Sequence, residues 1–494
     1  MLSRMEMLAS VNERPKIAVV GAGPATVYLL YHLYQARLTS VDIDIFEASA
    51  YQGCGHAFNP ETSYPNLLSN LHPDDIPSLP LNYYEWNAAT VGGESFPPHS
   101  VLSRSTVGRF LAANFLWLIH ELERRHVVIN VYPDHFVEKL CESENGCQLQ
   151  ADGRWYVGYS AIVNNTGLIN PAEGTPYPLD VYRYIGQPRF TIFGSSLTAV
   201  DAILTIAQAN GQFAGEAQDL IYRPNYTYNI EVVSPSGVFP NLWYPSSRQW
   251  QITTMMKGRF TEELSSFDSL YEALCLPALA CYCPDVYRQI ARMKFETALR
   301  FLTQTYTCCE ARRKLHCELL AFDAIESQGR FHWQEVIDAF LSLIETSGLH
   351  LNAVSIRQNN RFPHALTAKA LGALPIESAR KLLALFVTGT LNTRQGSMAT
   401  SDAIKSYPHH VVMDCRGVKP EKREQGNNKQ SAHAVKFCEV TTRIFAGSPH
   451  QRTNALTLPG LDTCNRLNRT IAKNLIDMTN GVNRALSTIS LEGV

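Results

Sequence analysis

The feature that most narrows the folds open to this chain is Lys16-Ile17-Ala18-Val19-Val20 running into Gly21-Ala22-Gly23-Pro24-Ala25-Thr26. A short apolar run ending on glycine reads as a buried strand, and Thr26 to Gln35 (TVYLLYHLYQ) has helical spacing. Val41 to Phe46 (VDIDIF) then alternates as a strand and stops at Glu47. Strand, tight turn, helix and strand in that order build a parallel sheet covered by helices. Gly21 permits the tight turn, and Gly23 lets the backbone approach a phosphate with no Cβ in the way. The helix start at Pro24 and Ala25 offers unpaired N–H groups and the positive end of the helix dipole. Glu47 stands at the next strand end, where a carboxylate accepts hydrogen bonds from ribose hydroxyls. The pattern predicts a dinucleotide-binding unit. Thr26 departs from it, because a third glycine usually lets helix and strand pack closely there.

A second unit starts the same way. Arg189 to Phe193 (RFTIF) reads as a strand, Ala199 to Ala209 as a helix and Ile230 to Val233 as the next strand. Between them lies Gly194-Ser195-Ser196-Leu197-Thr198-Ala199-Val200-Asp201. As a nucleotide turn, Gly194, Ser195, Ser196 and Thr198 face a phosphate at a helix start. As GxSxT the segment is a near miss for the GxSxG nucleophile elbow, which makes Ser196 the nucleophile of a serine hydrolase. The missing final glycine and the first unit favour the nucleotide turn. The fold class expected is α/β, with two Rossmann-like dinucleotide-binding units and an added, mainly helical domain.

The remaining pattern is coarser. Asn59 to Pro80 reads as a long functional loop. Ser105 to His126 reads as an amphipathic helix with Ser105 or Thr106 near its cap. Gln148 to Ala151, Trp155 to Gly158 and Ala161 to Val163 read as antiparallel strands around Asp152-Gly153. Segments 262–348 and 365–387 are mostly helical, Trp333 to Ile344 most clearly. Val411 to Asp414 reads as a strand, Arg416 to His433 as a mobile polar loop and Arg469 to Asn483 as a closing helix.

Composition removes other classes. The 494 residues suit about three structural units, and a core of that size needs no covalent staple. Hydrophobic residues at 45% and charged residues at 18% exclude a disordered scaffold or a fibre. With 43 basic against 45 acidic residues there is no field to hold nucleic acid or an anionic membrane. The 12 cysteines lack CxxC pairs: Cys281 and Cys283 form CxC, Cys308 and Cys309 are adjacent, and Cys317 follows His316. That spacing argues against zinc, a dithiol reductase and an iron–sulfur cluster. No apolar run is long enough for a membrane helix, and the first residues lack a signal-peptide core, so cytoplasm is the expected compartment.

Several stretches together resemble the two-dinucleotide-binding flavoproteins, most closely the FAD/NAD(P)-binding flavoprotein family. They are Gly53-Cys54-Gly55-His56-Ala57-Phe58, Asn66-Leu67-Leu68-Ser69-Asn70, Arg104-Ser105-Thr106-Val107-Gly108, Gly194 to Asp201, Trp333 to Asp338, and Met413-Asp414-Cys415-Arg416-Gly417. The resemblance implies FAD in the first unit and NADPH or NADH in the second. It places Gly55 and Arg104 among the cofactor contacts, Val137 beside the adenine and Asn70 near the flavin ring as the candidate catalytic residue. Asn164-Asn165-Thr166-Gly167 resembles the flavoprotein ATG segment, which adds Thr166 and Gly167. The expected domains are 1–185 for FAD, completed by 385–494, then 186–250 for the nicotinamide nucleotide and 251–384 as a helical substrate cover.

Ser234-Pro235-Ser236-Gly237 lacks the arginines that relatives carry there for a 2′-phosphate, with Arg223 and Arg248 as the nearest substitutes. Without a dithiol, reduced flavin is left with oxygen or a carbonyl acceptor. Relatives similar to flavin-dependent N-hydroxylating enzymes point to a monooxygenase using molecular oxygen on a small amine or amino acid. Tyr271, Tyr282, Tyr287, Arg288, Arg292, Arg312 and Arg313 are candidates to line a site for its carboxylate. A non-oxygenating reductase, a regulatory binding protein and the Ser196 hydrolase stay open.

Overall fold

In a computed structural model, Lys16–Val20 (β1) and Asp42–Phe46 (β2) lie parallel, Val20 opposite Phe46. Described are residues 14–61, 67–90, 101–167, 179–244, 248–259, 266–304, 310–346, 367–397, 409–416, 443–448 and 460–491, apart from isolated positions. Val128–Tyr132 (β3) extends the sheet beyond β2. Val137–Ser143 (β4), Gly146–Ala151 (β5) and Arg154–Tyr159 (β6) then form an antiparallel meander. Ala161–Asn164 (β7), expected to continue that meander, instead runs parallel to β1 on its other side. All four of its residues are buried, and a strand covered on both faces belongs inside a parallel sheet.

Arg189–Phe193 (β8) opens the second sheet. A hairpin of Gly211–Ala214 (β9) and Ile221–Pro224 (β10) follows, then Asn229–Ser234 (β11), Leu391–Gln395 (β12) and Val411–Asp414 (β13). The parallel order is β12-β11-β8-β13. Among the described residues after 385, Ile444–Ala446 (β14) is the strand that returns to the first sheet, beside β7, giving the order β14-β7-β1-β2-β3. The expectation that everything from residue 385 rejoins the first unit is thus corrected. Leu391 and Met413 bury their side chains in the second unit's core, so β12 and β13 go where their apolar faces are covered.

Helix α1 (Pro24–Gln35) packs on the first sheet through Val27, Leu30 and Leu33, and the short helix α2 (Gly55–Phe58) follows β2. Helix α3 (Arg104–Glu123) adds Phe115, Leu118 and Leu122 to the same core. Its cap is Ser103, whose hydroxyl accepts from the Thr106 N–H at 3.2 Å, ahead of the Ser105 or Thr106 expected. A serine oxygen outside the first turn satisfies an N–H that the helix cannot. Helix α4 (Leu197–Ala209) covers the second sheet. Helix α5 (Gln249–Lys257) belongs to a separate helical core around Leu274, Leu299 and Phe340. Helix α6 (Ala311–Ser327) instead joins the second sheet's core through Leu315 and Leu319. Helix α7 (Trp333–Thr346) returns to the helical core, and α8 (Ile376–Val387) to the second sheet. Helix α9 (Leu461–Leu491) lies against α1, burying Ile471 and Leu475. The loop expected from 416 to 433 lies outside the described residues beyond Arg416.

Candidate functional site

In the first sheet the strand order reverses between β1 and β7, which is where an open parallel sheet leaves a crevice at its carboxyl end. Gly21 sits at that point with φ +92°, its N–H donating to the Phe46 carbonyl at 2.7 Å. A Cβ there would fall 2.9 Å from the Asn165 carbonyl oxygen. Gly23 leads into α1 and faces Gly55, whose Cα lies 3.3 Å from where a Cβ on Gly23 would be. Gly53 ties the same segment down by donating to the Ala22 carbonyl at 2.6 Å. Pro24, which has no N–H, and Ala25 open α1; the Thr26 and Val27 N–H groups donate to the Gly23 carbonyl at 2.9 and 3.2 Å, which leaves the Ala25 N–H as the leading donor with no acceptor within the helix.

Glu47 Oε2 accepts from the Ala22 N–H at 2.7 Å, and Oε1 accepts from the N–H and hydroxyl of Ser49 at 3.0 and 2.9 Å. A carboxylate has about four acceptor positions, so these three bonds aim the group at the glycine turn and leave room for a sugar hydroxyl. The residues fit a dinucleotide: a turn without Cβ atoms, a helix start and an oriented acid.

Thr26 now has an explanation. It is fully buried, its hydroxyl donates to the Gly21 carbonyl, and it accepts from Asn165 Nδ2 at 3.0 Å. The side chain that replaces the third glycine pins the turn to the end of β7. Thr166 bonds Asn164 Oδ1 through its N–H and hydroxyl, while Gly167 is exposed with open space around it. Gly447, after β14, was not singled out from sequence. A Cβ on it would fall 1.9 Å from Asn165 Oδ1 and 2.9 Å from Asn468 Oδ1. The readable signal was a short apolar strand, Ile444-Phe445-Ala446, stopping at glycine as β1 does.

The second unit repeats the geometry. Gly194 has φ +103°, donates to the Val233 carbonyl at 2.9 Å, and a Cβ on it would fall 2.7 Å from the Cys415 carbonyl oxygen. Cys415 follows β13 as Asn165 follows β7. Ser234 ends β11 where Glu47 follows β2, so no acid stands at the position equivalent to Glu47. Ser195 Oγ donates to the Val238 carbonyl at 2.8 Å, and Thr198 is half-buried in the first turn of α4. Ser196 is the exposed residue preceding α4, and among the described residues no histidine hydrogen-bonds to it.

Other expected contacts are spread around these turns. Asn70 is half-buried on a strip running beside Leu102 to Arg104. Arg104 is paired with Asp201. Val137 opens β4 and is buried with Phe46 and Ile162 under the first sheet. The proposed carboxylate lining is not gathered: Arg288, Arg292, Arg312 and Arg313 are exposed and Tyr271 lies in the helical core. Arg223 is exposed on β10, and Arg248 is committed to Glu335 and Glu326 at 3.3 and 3.5 Å.

Burial pushes the Cys54 and Cys147 thiols up to about 11 and those of Cys283 and Cys464 up to about 12. These are packing residues held as thiols, not redox nucleophiles. Among the described residues no cluster of His, Cys, Asp or Glu could hold a metal ion, and no helix is long and apolar enough to cross a membrane.

The helical region carries one strongly perturbed pair. His332 stacks on Tyr244 at 3.8 Å, and burial pushes its pKa down to about 3. Glu335, which accepts from the His332 backbone N–H at 2.6 Å, is pushed up to about 7 by burial, with Arg248 pulling the other way. A carboxyl raised above its unfolded value of 4.5 gives stability present below that value and lost as pH climbs through about 7. The His332 contribution has the opposite sign, present above 6.5 and lost on acidification. Glu335→Gln removes the first effect only. Relative to the native protein, its unfolding free energy should rise by about 1–3 kcal/mol between pH 5 and pH 8, read from urea midpoints; parallel curves would refute the assignment.

Residues 18–167 match the family described as FAD-NAD(P)-binding. The chain is 23% identical over 455 residues to "Uncharacterized protein YdhS" of Escherichia coli K12, covering 82% of this chain and 84% of that protein. Among solved structures it is similar to ornithine N-hydroxylase of Kutzneria sp. 744, at 14% identity and TM-score 0.35 over 52% of this chain and 62% of that one. It is also similar to S-allyl-L-cysteine S-oxygenase from Allium sativum, at 16% identity and TM-score 0.30 over 45% and 51%. The chain thus spans under two thirds of those structures. The glycine turn and its oriented acid lie within residues 18–167, the segment that matches the family described as FAD-NAD(P)-binding.

Proposed function

We propose that the protein is an FAD-dependent monooxygenase that NAD(P)H reduces and that oxidises the amine nitrogen of a small amino-acid-like metabolite. The observation that carries the reading is the repeated turn: Gly21 against Asn165 and Gly194 against Cys415, each at the reversal point of its own parallel sheet. Two such turns in one chain suit two nucleotides, FAD on the first and the nicotinamide on the second. FAD, when bound, supplies the two-electron chemistry. Gly21, Gly23, Pro24, Ala25 and Gly55 would face its diphosphate and Glu47 its ribose, while Gly194, Ser195, Ser196 and Thr198 would face the second nucleotide. The sequence holds no CxxC pair to take electrons onward, which favours oxygen as acceptor. The separate helical core offers a cover that keeps water out and an amine neutral.

The reaction balances as amine, oxygen, NAD(P)H and a proton giving hydroxylamine, water and NAD(P)+. Purified protein should absorb near about 450 nm and oxidise NADPH or NADH faster when the right amine is added, with hydroxylamine formed. Flavin that neither nucleotide reduces would leave a binding protein, and reduction with no hydroxylamine from any amine would leave a reductase. A colourless protein that reacts with a fluorophosphonate at Ser196 would restore the hydrolase.

A further inference from the structure

Two of the stretches on which the family resemblance rests, the one opening at Arg104 and the one closing at Asp201, meet in space. Arg104 Nη2 lies 2.8 Å from Asp201 Oδ2, and Arg104 Nε donates to the Leu68 carbonyl at 3.1 Å. The two side chains are 17% and 8% exposed. Arg104 begins α3 in the first unit, whereas Asp201 is early in α4, directly after the Gly194 turn of the second.

The strip from Leu67 to Leu71 is held from both sides. Leu67 is 1% exposed and buries its side chain in the second unit's core, among residues such as Phe190 and Ile203. Its carbonyl accepts from the Arg104 N–H at 2.8 Å. Ser69 donates to the Leu102 carbonyl through its N–H at 2.8 Å and its hydroxyl at 2.7 Å, and Leu102 donates to the Leu71 carbonyl at 2.9 Å. Asn70 lies on this strip. A largely buried ion pair is costly to desolvate, and the best-attested reason to keep one is that it specifies a single arrangement of the parts it joins.

We propose that Arg104 and Asp201 form a strut that fixes the Leu67–Leu71 strip against the nucleotide turn of the second unit, making both positioning residues for hydride transfer between the two cofactors. This rests on the flavin–nicotinamide reading above. In that transfer the nicotinamide C–H bond breaks, its hydrogen and electron pair pass to FAD, and one solvent proton completes the reduced flavin. A misplacement of about 1 Å can slow such a step on the order of 10²-fold.

The test compares native holoprotein with Asp201→Asn, Arg104→Gln, Arg104→Lys and the double variant Arg104→Gln/Asp201→Asn. Three readouts are taken: flavin content, anaerobic single-turnover bleaching under saturating NADPH or NADH, and hydrogen exchange of amides 67–71. Asp201→Asn and Arg104→Gln should each slow bleaching by roughly 10- to 100-fold at native flavin content and native half-saturation, with faster exchange in the strip. The double variant should be no slower than the slower single one, and Arg104→Lys, which keeps the charge, should recover part of the rate. Native bleaching rates in flavin-loaded variants overturn the strut and leave the flavin reading standing. Loss of flavin from the isosteric Asp201→Asn variant overturns it by assigning the pair to cofactor retention. A native protein without flavin overturns the reading itself, and the strut with it.

Discussion

Gly108→Ala should destabilise the protein by about 3 kcal/mol or more, the reverse of alanine's usual effect in a helix. Inside an ordinary helix, alanine is better than glycine by about 1 kcal/mol. Gly108 lies in α3, and a Cβ on it would fall 1.8 Å from the Phe58 carbonyl oxygen and 2.8 Å from its carbon. Those are backbone atoms of α2, so no side chain can swing aside. The opposing glycine adds to the constraint, since a Cβ on Gly53 would fall 2.6 Å from the Ala112 Cα of α3. The substitution therefore parts α3 from the segment that carries Gly55 to the Gly21–Gly23 turn. Gly258→Ala is the control, because its Cβ would meet nothing nearer than 3.7 Å. Denaturant curves followed by circular dichroism read both; a Gly108→Ala protein as stable as native would show that α2 and α3 do not touch there.

Gly21→Ala should cost about 2–4 kcal/mol of stability and remove bound FAD from the purified protein. Two penalties add. At φ +92° an L side chain is strained, and its Cβ would fall 2.9, 3.1 and 3.2 Å from the Asn165 oxygen, the Asn165 carbon and the Thr166 nitrogen. Relief requires opening the turn away from β7, which breaks the Thr26 bridge to Asn165 and disturbs the helix start proposed to face the diphosphate. Each 1.4 kcal/mol lost from binding is about tenfold in affinity. Gly153→Ala isolates strain from collision: its φ is +76° but nothing lies within 4 Å, so it should cost about 1 kcal/mol and keep its flavin. Flavin-to-protein absorbance after gel filtration decides the matter. A Gly21→Ala protein with full flavin would contradict the placement of the diphosphate at this turn.

Much of the fold could be read from local pattern. The β1–α1–β2 unit and its repeat at β8–α4–β11 follow from apolar runs, glycine turns and helical spacing. Trp333 to Ile344 likewise lies within α7. Departures came where partners lie far away in the chain. Ala161 to Asn164 follows a real antiparallel meander, and only the lack of any exposed face moves β7 into the parallel sheet beside β1. Leu391–Gln395 and Val411–Asp414 carry no mark saying which of two similar sheets they complete. The arginines of the helical segment have the right chemistry for a carboxylate, but Arg288, Arg312 and Arg313 are exposed on their helices and Arg292 is exposed in a turn.

The amino-acid order by itself determined the two turns, because glycine's freedom at positive φ and the period of apolar residues are properties of neighbours along the chain. Only the tertiary structure decided what closes on those turns. Asn165 and Thr26 seal the first, Cys415 abuts the second, and Arg104 reaches Asp201 between them. Each of these contacts joins residues distant in sequence. They form because burying two large cores brings them together, after which every enclosed polar group must find a partner.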